Sequence, residues 1–258
     1  MTLSAFSDEL AQVRTKKKEF LEQIERIVPW KEWLCLIQPC YYKGERGNKP
    51  YPLETMLRLY LLQNLYDLSD EATVAEAIDS RAFSEFCGVD SSNQIPNGDT
   101  LGRFRNLLIR NGLQEKLFAQ VVAALMERGL ILKKGTIVDS TLLTGEEEVV
   151  YGDSGYLGAG KREDAIVRNK SGHKIKYKIN RRPSQVKKLS KSGQYAARKA
   201  EHVKSSVRAK VEHVFGAVKK QLRFRKTRYR GLEKQQAKFN ILFALANLIL
   251  ADRPCLAA

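Results

Sequence analysis

Three acidic residues in this chain have the type and setting to do metal chemistry. Asp139 ends the apolar run Gly135-Thr-Ile-Val-Asp, and Asp153 ends Val149-Val-Tyr-Gly-Asp. Glu212 is the lone acid in the basic segment Arg208-Ala-Lys-Val-Glu-His-Val-Phe-Gly-Ala-Val-Lys219. Three carboxylates that converge can hold two divalent ions, and two such ions can drive phosphodiester chemistry. Taken singly, each aspartate reads more simply as a turn or cap residue, and Gly152-Asp-Ser-Gly155 is good turn chemistry by itself. Arg208 to Glu212 is four steps and Glu212 to Lys219 is seven. At about 100° per residue both separations return to one helix face. A salt-bridged surface face is the bland explanation of that stripe.

The charge distribution points to the partner. The 258 residues carry a net charge of +16, but residues 161–230 hold 24 Lys/Arg against 4 Asp/Glu. The remainder of the chain is net negative, so the excess is concentrated in one block. A concentrated cationic block is the footprint of a polyanion, most often nucleic acid. Within it, Lys219-Lys-Gln-Leu-Arg-Phe-Arg-Lys-Thr-Arg-Tyr-Arg230 has seven basic residues in twelve: Lys219, Lys220, Arg223, Arg225, Lys226, Arg228 and Arg230. Phe224 and Tyr229 interleave with them, as rings that stack on bases would. Cys35, Cys40, Cys87 and Cys255 form no C-x-x-C pair, so a structural zinc site is not expected. The sequence has no apolar stretch long enough for a bilayer and no leader-like block at its start. It reads as a cytoplasmic, nucleoid-associated protein without a membrane partner.

The elements that would position these residues fall into two parts. Residues 1–129 read as an all-helical domain. Its segments are a helix ending near Ile27, an apolar helix Leu53–Leu65, one opened by Ser69-Asp-Glu, a short helix 81–86, one capped by Asp99 or Thr100, and one from Leu113 to Arg128. A basic edge with Arg103, Arg105 and Arg110 makes a helix-turn-helix relative one option and a plain helical bundle the other. Residues 130–258 change character. Two β-like runs precede a basic stretch in which His173-Lys-Ile-Lys-Tyr-Lys-Ile-Asn alternates as a strand would. A long helix over about 196–224 follows, with the apolar stripe Val203, Val207, Val211, Val214, Phe215, Val218 and Leu222. A C-terminal apolar helix covers 237–250. The fold class is α+β.

These motifs in order resemble the DDE transposases of bacterial insertion-sequence family five. Pro50-Tyr-Pro-Leu-Glu-Thr-Met-Leu-Arg-Leu-Tyr-Leu-Leu-Gln and Ile95-Pro-Asn-Gly-Asp-Thr-Leu-Gly-Arg-Phe-Arg-Asn-Leu-Leu108 resemble that family's N-terminal helical domain. Thr136-Ile-Val-Asp-Ser-Thr141 and Val150-Tyr-Gly-Asp-Ser-Gly-Tyr-Leu-Gly158 resemble its first two catalytic motifs, and Arg208, Glu212 and Lys219 its third, with Ser205 in the place of a tyrosine. The resemblance implies a ribonuclease-H-like catalytic domain. It implies Asp139, Asp153 and Glu212 as ligands of two Mg²⁺ or Mn²⁺ ions, and Arg208 and Lys219 as holders of the scissile strand. It implies double-stranded DNA, both terminal inverted repeats and target, as substrate, and a homo-oligomer as the working form.

One departure stands out. Thirteen residues, Ser140 to Gly152, separate the two aspartates, several dozen fewer than in the family, as if a segment had been deleted in frame. Parallel neighbouring strands normally need a crossover of about a dozen residues or more. Ser140 to Glu148 supplies nine, enough for a bare loop but easier to close as a hairpin. A hairpin would send the aspartates to opposite ends of the pair. The sequence therefore supports two functions: an active transposase, or a DNA-binding remnant that represses or inhibits transposition. A third, an RNA-associated basic protein, has no motif in its favour.

Overall fold

A computed structural model describes residues 14–42, 49–130, 136–138, 149–152, 154–158, 172–226 and 228–252; for 136–138 and 207–212 the backbone alone is described. The described chain is mostly helical with one small sheet, an α+β arrangement. Its helices are α1 (Lys16–Ile27), α2 (Trp30–Ile37), α3 (Leu53–Leu65), α4 (Asp70–Asp79), α5 (Arg81–Cys87), α6 (Gly98–Arg110), α7 (Leu113–Glu127), α8 (Pro183–Lys187), α9 (Lys191–Lys220) and α10 (Leu232–Ala251). The strands are β1 (Thr136–Val138), β2 (Val149–Gly152) and β3 (Lys176–Ile179). Among the described residues, no helix is long and apolar enough to cross a membrane.

The chain divides into two compact units. The first holds residues up to Ala124 together with those from Ala217 on; the second is Leu125–Gly216. The segment from Ala217 on joins the first unit because α10 packs on α3, α1 and α6.

Local chemistry starts the helices of the first unit. Thr15 Oγ1 accepts from the Lys18 N–H at 3.2 Å, Ser69 Oγ from Ala72 N–H at 3.2 Å, and Asn97 Oδ1 from Thr100 N–H at 2.9 Å. The cap of α6 is thus Asn97, two residues before the expected Asp99, and the helix starts at Gly98. α5 ends at Gly88, whose φ of 65° is the left-handed cap that glycine adopts without steric cost. α3 is buried on nearly every side, from Leu53 and Met56 through Leu65, so it is the central helix of this unit. Around it lie the fully buried Trp33, Phe83, Phe104 and Ile24. Trp33 belongs to α2, an eight-residue helix that the sequence reading left unassigned.

Two buried charges are also part of this core. Asp67 and Lys238 are paired at 2.5 Å, each side chain only 6% exposed. Arg58 of α3 donates to Glu25, Glu54 and the Phe86 carbonyl. Its guanidinium stacks 4.1 Å from the Trp30 ring and 5.3 Å from the Phe86 ring.

The second unit contains the sheet. Its order is β1-β2-β3, and both pairings are parallel. The short link therefore does not close a hairpin: ten residues, 139–148, join two parallel neighbours. β3 falls inside the alternating segment expected to be a strand, with Lys176 and Lys178 exposed and Tyr177 and Ile179 half-buried. α9 begins at Lys191, five residues before expectation, and ends at Lys220. Its apolar stripe is only partly covered. Val218 and Leu222 are buried, whereas Val203 is 60% and Phe215 44% exposed.

Candidate active site

Parallel pairing brings the carboxyl ends of all three strands to one edge of the sheet. Val138 at the end of β1 pairs with Gly152 at the end of β2, and Gly152 pairs with Ile179 at the end of β3. The next residues in sequence after Val138 and Gly152 are Asp139 and Asp153. Both lie outside the described residues, as does the Glu212 side chain. In parallel α/β sheets this edge is where ligands are bound.

Gly152 has a packing reason to be glycine. It is buried, and a Cβ there would come 2.7 Å from Ile179 Cδ1 and 3.4 Å from Tyr156 Cβ. A larger residue would have to displace the end of the Ile179 side chain at this edge. Its carbonyl also accepts from the Asn180 N–H at 3.0 Å, extending the ladder one residue past β3. On the exposed side, Lys178 lies over its cross-strand partner Tyr151, 5.3 Å from the ring centroid.

α9 docks at this same edge through three polar contacts. Asn180 Nδ2 donates to Ser205 Oγ at 3.0 Å, and the Arg181 N–H donates to Glu201 Oε2 at 3.0 Å. Lys204 Nζ reaches both the Ile179 carbonyl at 2.9 Å and Glu201 Oε1 at 2.8 Å. The helix is continuous from Lys191 to Lys220. Positions 201, 205, 208 and 212 are therefore spaced by four, three and four, a single stripe. The stripe that ties the helix to the end of β3 is the one on which Arg208 and Glu212 fall, and position 212 is about 10 Å along the axis from Ser205.

Glu201, Lys204 and Asn180 were not singled out from the sequence. Continuing the Ser205/Arg208/Glu212 stripe one turn further back would have found Glu201. Nothing local marks Asn180, whose role depends on where β3 ends. Among the described residues no group of three or more His, Cys, Asp or Glu is arranged to hold a metal.

The basic run is placed differently from the sequence expectation. Lys219, Lys220, Arg225, Lys226 and Arg230 are exposed. The two interleaved rings, however, are turned into the helical unit. Phe224 packs edge-on against Phe239 of α10, with centroids 5.4 Å apart, and Tyr229 Oη reaches Gln63 Oε1 at 3.4 Å. The rings anchor the segment on its own protein and are not presented for base stacking. Arg223 lies 4.8 Å from the Tyr66 ring centroid, and Arg228 Nε is 3.7 Å from Asp67 Oδ2.

On α6, Arg103 is exposed, but Arg105 is engaged inside the unit. It donates to Asp70 and stacks 4.6 Å from the Tyr229 ring, with its side chain 12% exposed. Burial works most strongly against its charge, but the Asp70 hydrogen bond together with the electrostatic pull of Tyr229, Asp70 and Tyr60 outweighs it and holds its pKa above the ordinary arginine value.

Residues 8–107 match the family model described as a transposase domain (DUF772), and residues 132–248 match the model described as a transposase DDE domain. The chain carries two transposase domains. Between them the matches cover most of its length and support a DDE transposase that acts on DNA. The DDE domain implies dependence on a divalent metal. No solved structure matches this transposase chain.

Proposed function

We propose that this transposase binds the terminal inverted repeats of a bacterial insertion sequence and cuts and joins DNA at them in a metal-dependent reaction. The observation that supports the reading best is the in-register parallel pairing of Val138 with Gly152. It meets the condition that a shared site for Asp139 and Asp153 imposes on the strands before them. The α9 stripe through Glu201 and Ser205, docked at the same edge, adds position 212 as a third carboxylate. We further read residues 130–258 as a ribonuclease-H-like domain following a helical domain at 1–129. On this reading the chain is a family-five member that has lost a segment between Asp139 and Asp153.

The donor set suits the implied metal. Asp139, Asp153 and Glu212 are hard oxygen ligands of the kind Mg²⁺ and Mn²⁺ take, and no soft ligand competes among them. When bound, a pair of such ions supplies an activated nucleophile and stabilises the leaving oxygen. The protein's own part is positional. The carboxylates fix the ions, Arg208 and Lys219 hold the scissile strand, and the exposed Lys220, Arg225, Lys226, Arg230 and Arg103 neutralise flanking phosphates. Arg105, paired with Asp70, has a structural task instead.

A second reading retains support from the ten-residue link and from the exposed Val203 and Phe215, which are what a sheet shortened by a deletion would leave. It is a DNA-binding remnant that represses or inhibits transposition. The test is a nicking assay on duplex bearing the element's ends. The proposal expects nicks with Mg²⁺ or Mn²⁺, none with chelator, and duplex binding in both. Binding without nicking under every metal condition would leave the remnant.

A further inference from the structure

Within the helical unit, a cavity of about 360 Å³ gathers four cations: Lys16 and Lys17 in the first turn of α1, Lys220 at the end of α9, and Arg223 just beyond it. Among the described residues no acid lines the cavity, although Lys17 Nζ reaches Glu76 at 3.7 Å beside it. Two buried polar atoms in its wall, Tyr66 Oη and Gln221 Oε1, have no hydrogen-bond partner among the described residues. Buried polar groups are nearly always paired, so two orphans in one wall point to a missing ligand. Tyr66 is 8% exposed. Burial pushes its hydroxyl up to about 12, so it remains a donor at every ordinary pH. The Gln221 amide can turn over to aim its NH₂ inward, since the two ends are interchangeable in shape.

Arg223 gives a further sign. Its φ is 52°, a left-handed conformation that side chains other than glycine, asparagine and aspartate rarely adopt. That backbone places its guanidinium 4.8 Å from the centroid of the Tyr66 ring, against the cavity wall. Such strain concentrates at ligand clamps.

We propose that this cavity grips one phosphate group of the DNA backbone. Cations without a lining acid, together with the unpartnered Tyr66 hydroxyl and a Gln221 amide turned to present its NH₂, suit an oxyanion. Lys220 and Arg223 belong to the exposed run that continues through Arg225, Lys226 and Arg230, so the occupant is one phosphate of a longer polyanion. The inference rests on the DNA-binding part of the proposed function and is independent of catalysis.

The test measures binding of a labelled duplex by the full chain across a salt series. Arg223→Gly removes the guanidinium and accepts the same φ. It should weaken binding by roughly 5–10-fold near physiological salt and reduce the slope of log affinity against log salt by about 0.9, one phosphate contact. Tyr66→Phe keeps the ring and loses the donor, and should weaken binding by about 3-fold with the slope unchanged. Lys31→Gln, an exposed cation of α2 away from the cavity wall, should change neither. Inorganic phosphate, compared with chloride at equal ionic strength, should compete with duplex for the unsubstituted chain and lose that advantage against Arg223→Gly. Unchanged affinity and slope in a folded Arg223→Gly chain would overturn the proposal. So would phosphate competition that persists undiminished against Arg223→Gly, which would place the competing site elsewhere. Failure of the unsubstituted chain to bind duplex overturns this inference and the DNA-binding reading together. Failure to nick bears only on catalysis.

Discussion

Replacing Asp67 with asparagine should lower the stability of the helical unit by about 3–5 kcal/mol, the usual cost of breaking a buried ion pair from one side. Lys238 Nζ is 2.5 Å from Asp67 Oδ1, and both side chains are 6% exposed. Among the described residues the other cation paired with this carboxylate is Arg228, 3.7 Å away and 46% exposed, so removing the charge leaves an ammonium buried beside a second cation. Asparagine keeps the shape and tolerates the left-handed φ of 50° at this position, so the loss isolates the charge. The double variant Asp67→Asn with Lys238→Met should recover most of it, because no uncompensated charge remains. Denaturant unfolding read by tryptophan fluorescence suits the measurement: the chain's two tryptophans, Trp30 and Trp33, both belong to this unit. A loss below about 1 kcal/mol would mean that the pair behaves as a solvated surface bridge.

The second large effect is on chemistry. Asp139→Ala or Glu212→Gln should reduce metal-dependent nicking by at least about 10³-fold. Metal-supplied stabilisation is worth several kcal/mol, at about 1.4 kcal/mol per decade of rate. Duplex affinity should stay within a few-fold, since the exposed cations of the Lys219–Arg230 run are untouched. A parallel loss of binding would show that these acids support the fold. Nicking that survived both substitutions would place the chemistry elsewhere.

How much of this was legible in the sequence depended on the range of the interaction. Ser69 as a cap, the apolar α3 and the alternating β3 are local patterns, and they are present as expected. The α6 cap was displaced by two residues because Asn97 and Asp99 are both good capping types and only the backbone chooses between them. α2 was missed because eight residues between two prolines offer too little periodicity. Arg105, Phe224 and Tyr229 have the composition of a nucleic-acid surface, yet Asp70, Gln63 and α10 draw them inward. Those partners are 35 residues away for Arg105–Asp70 and 166 for Tyr229–Gln63, far beyond local pattern. The same range explains why α10 joins the helical unit. The direction of β2 against β1 was open for another reason: a link of this length permits a hairpin or a parallel return, and only the pairing decides.

The most direct test of the account is a Mn²⁺ titration of the full chain, monitored by the loss of the free-ion electron paramagnetic resonance signal. The account predicts saturable binding that approaches two ions per chain when duplex is present and is strongly reduced by Asp153→Ala. No saturable Mn²⁺ binding by the folded, duplex-bound chain, or binding indifferent to Asp139, Asp153 and Glu212, would contradict it.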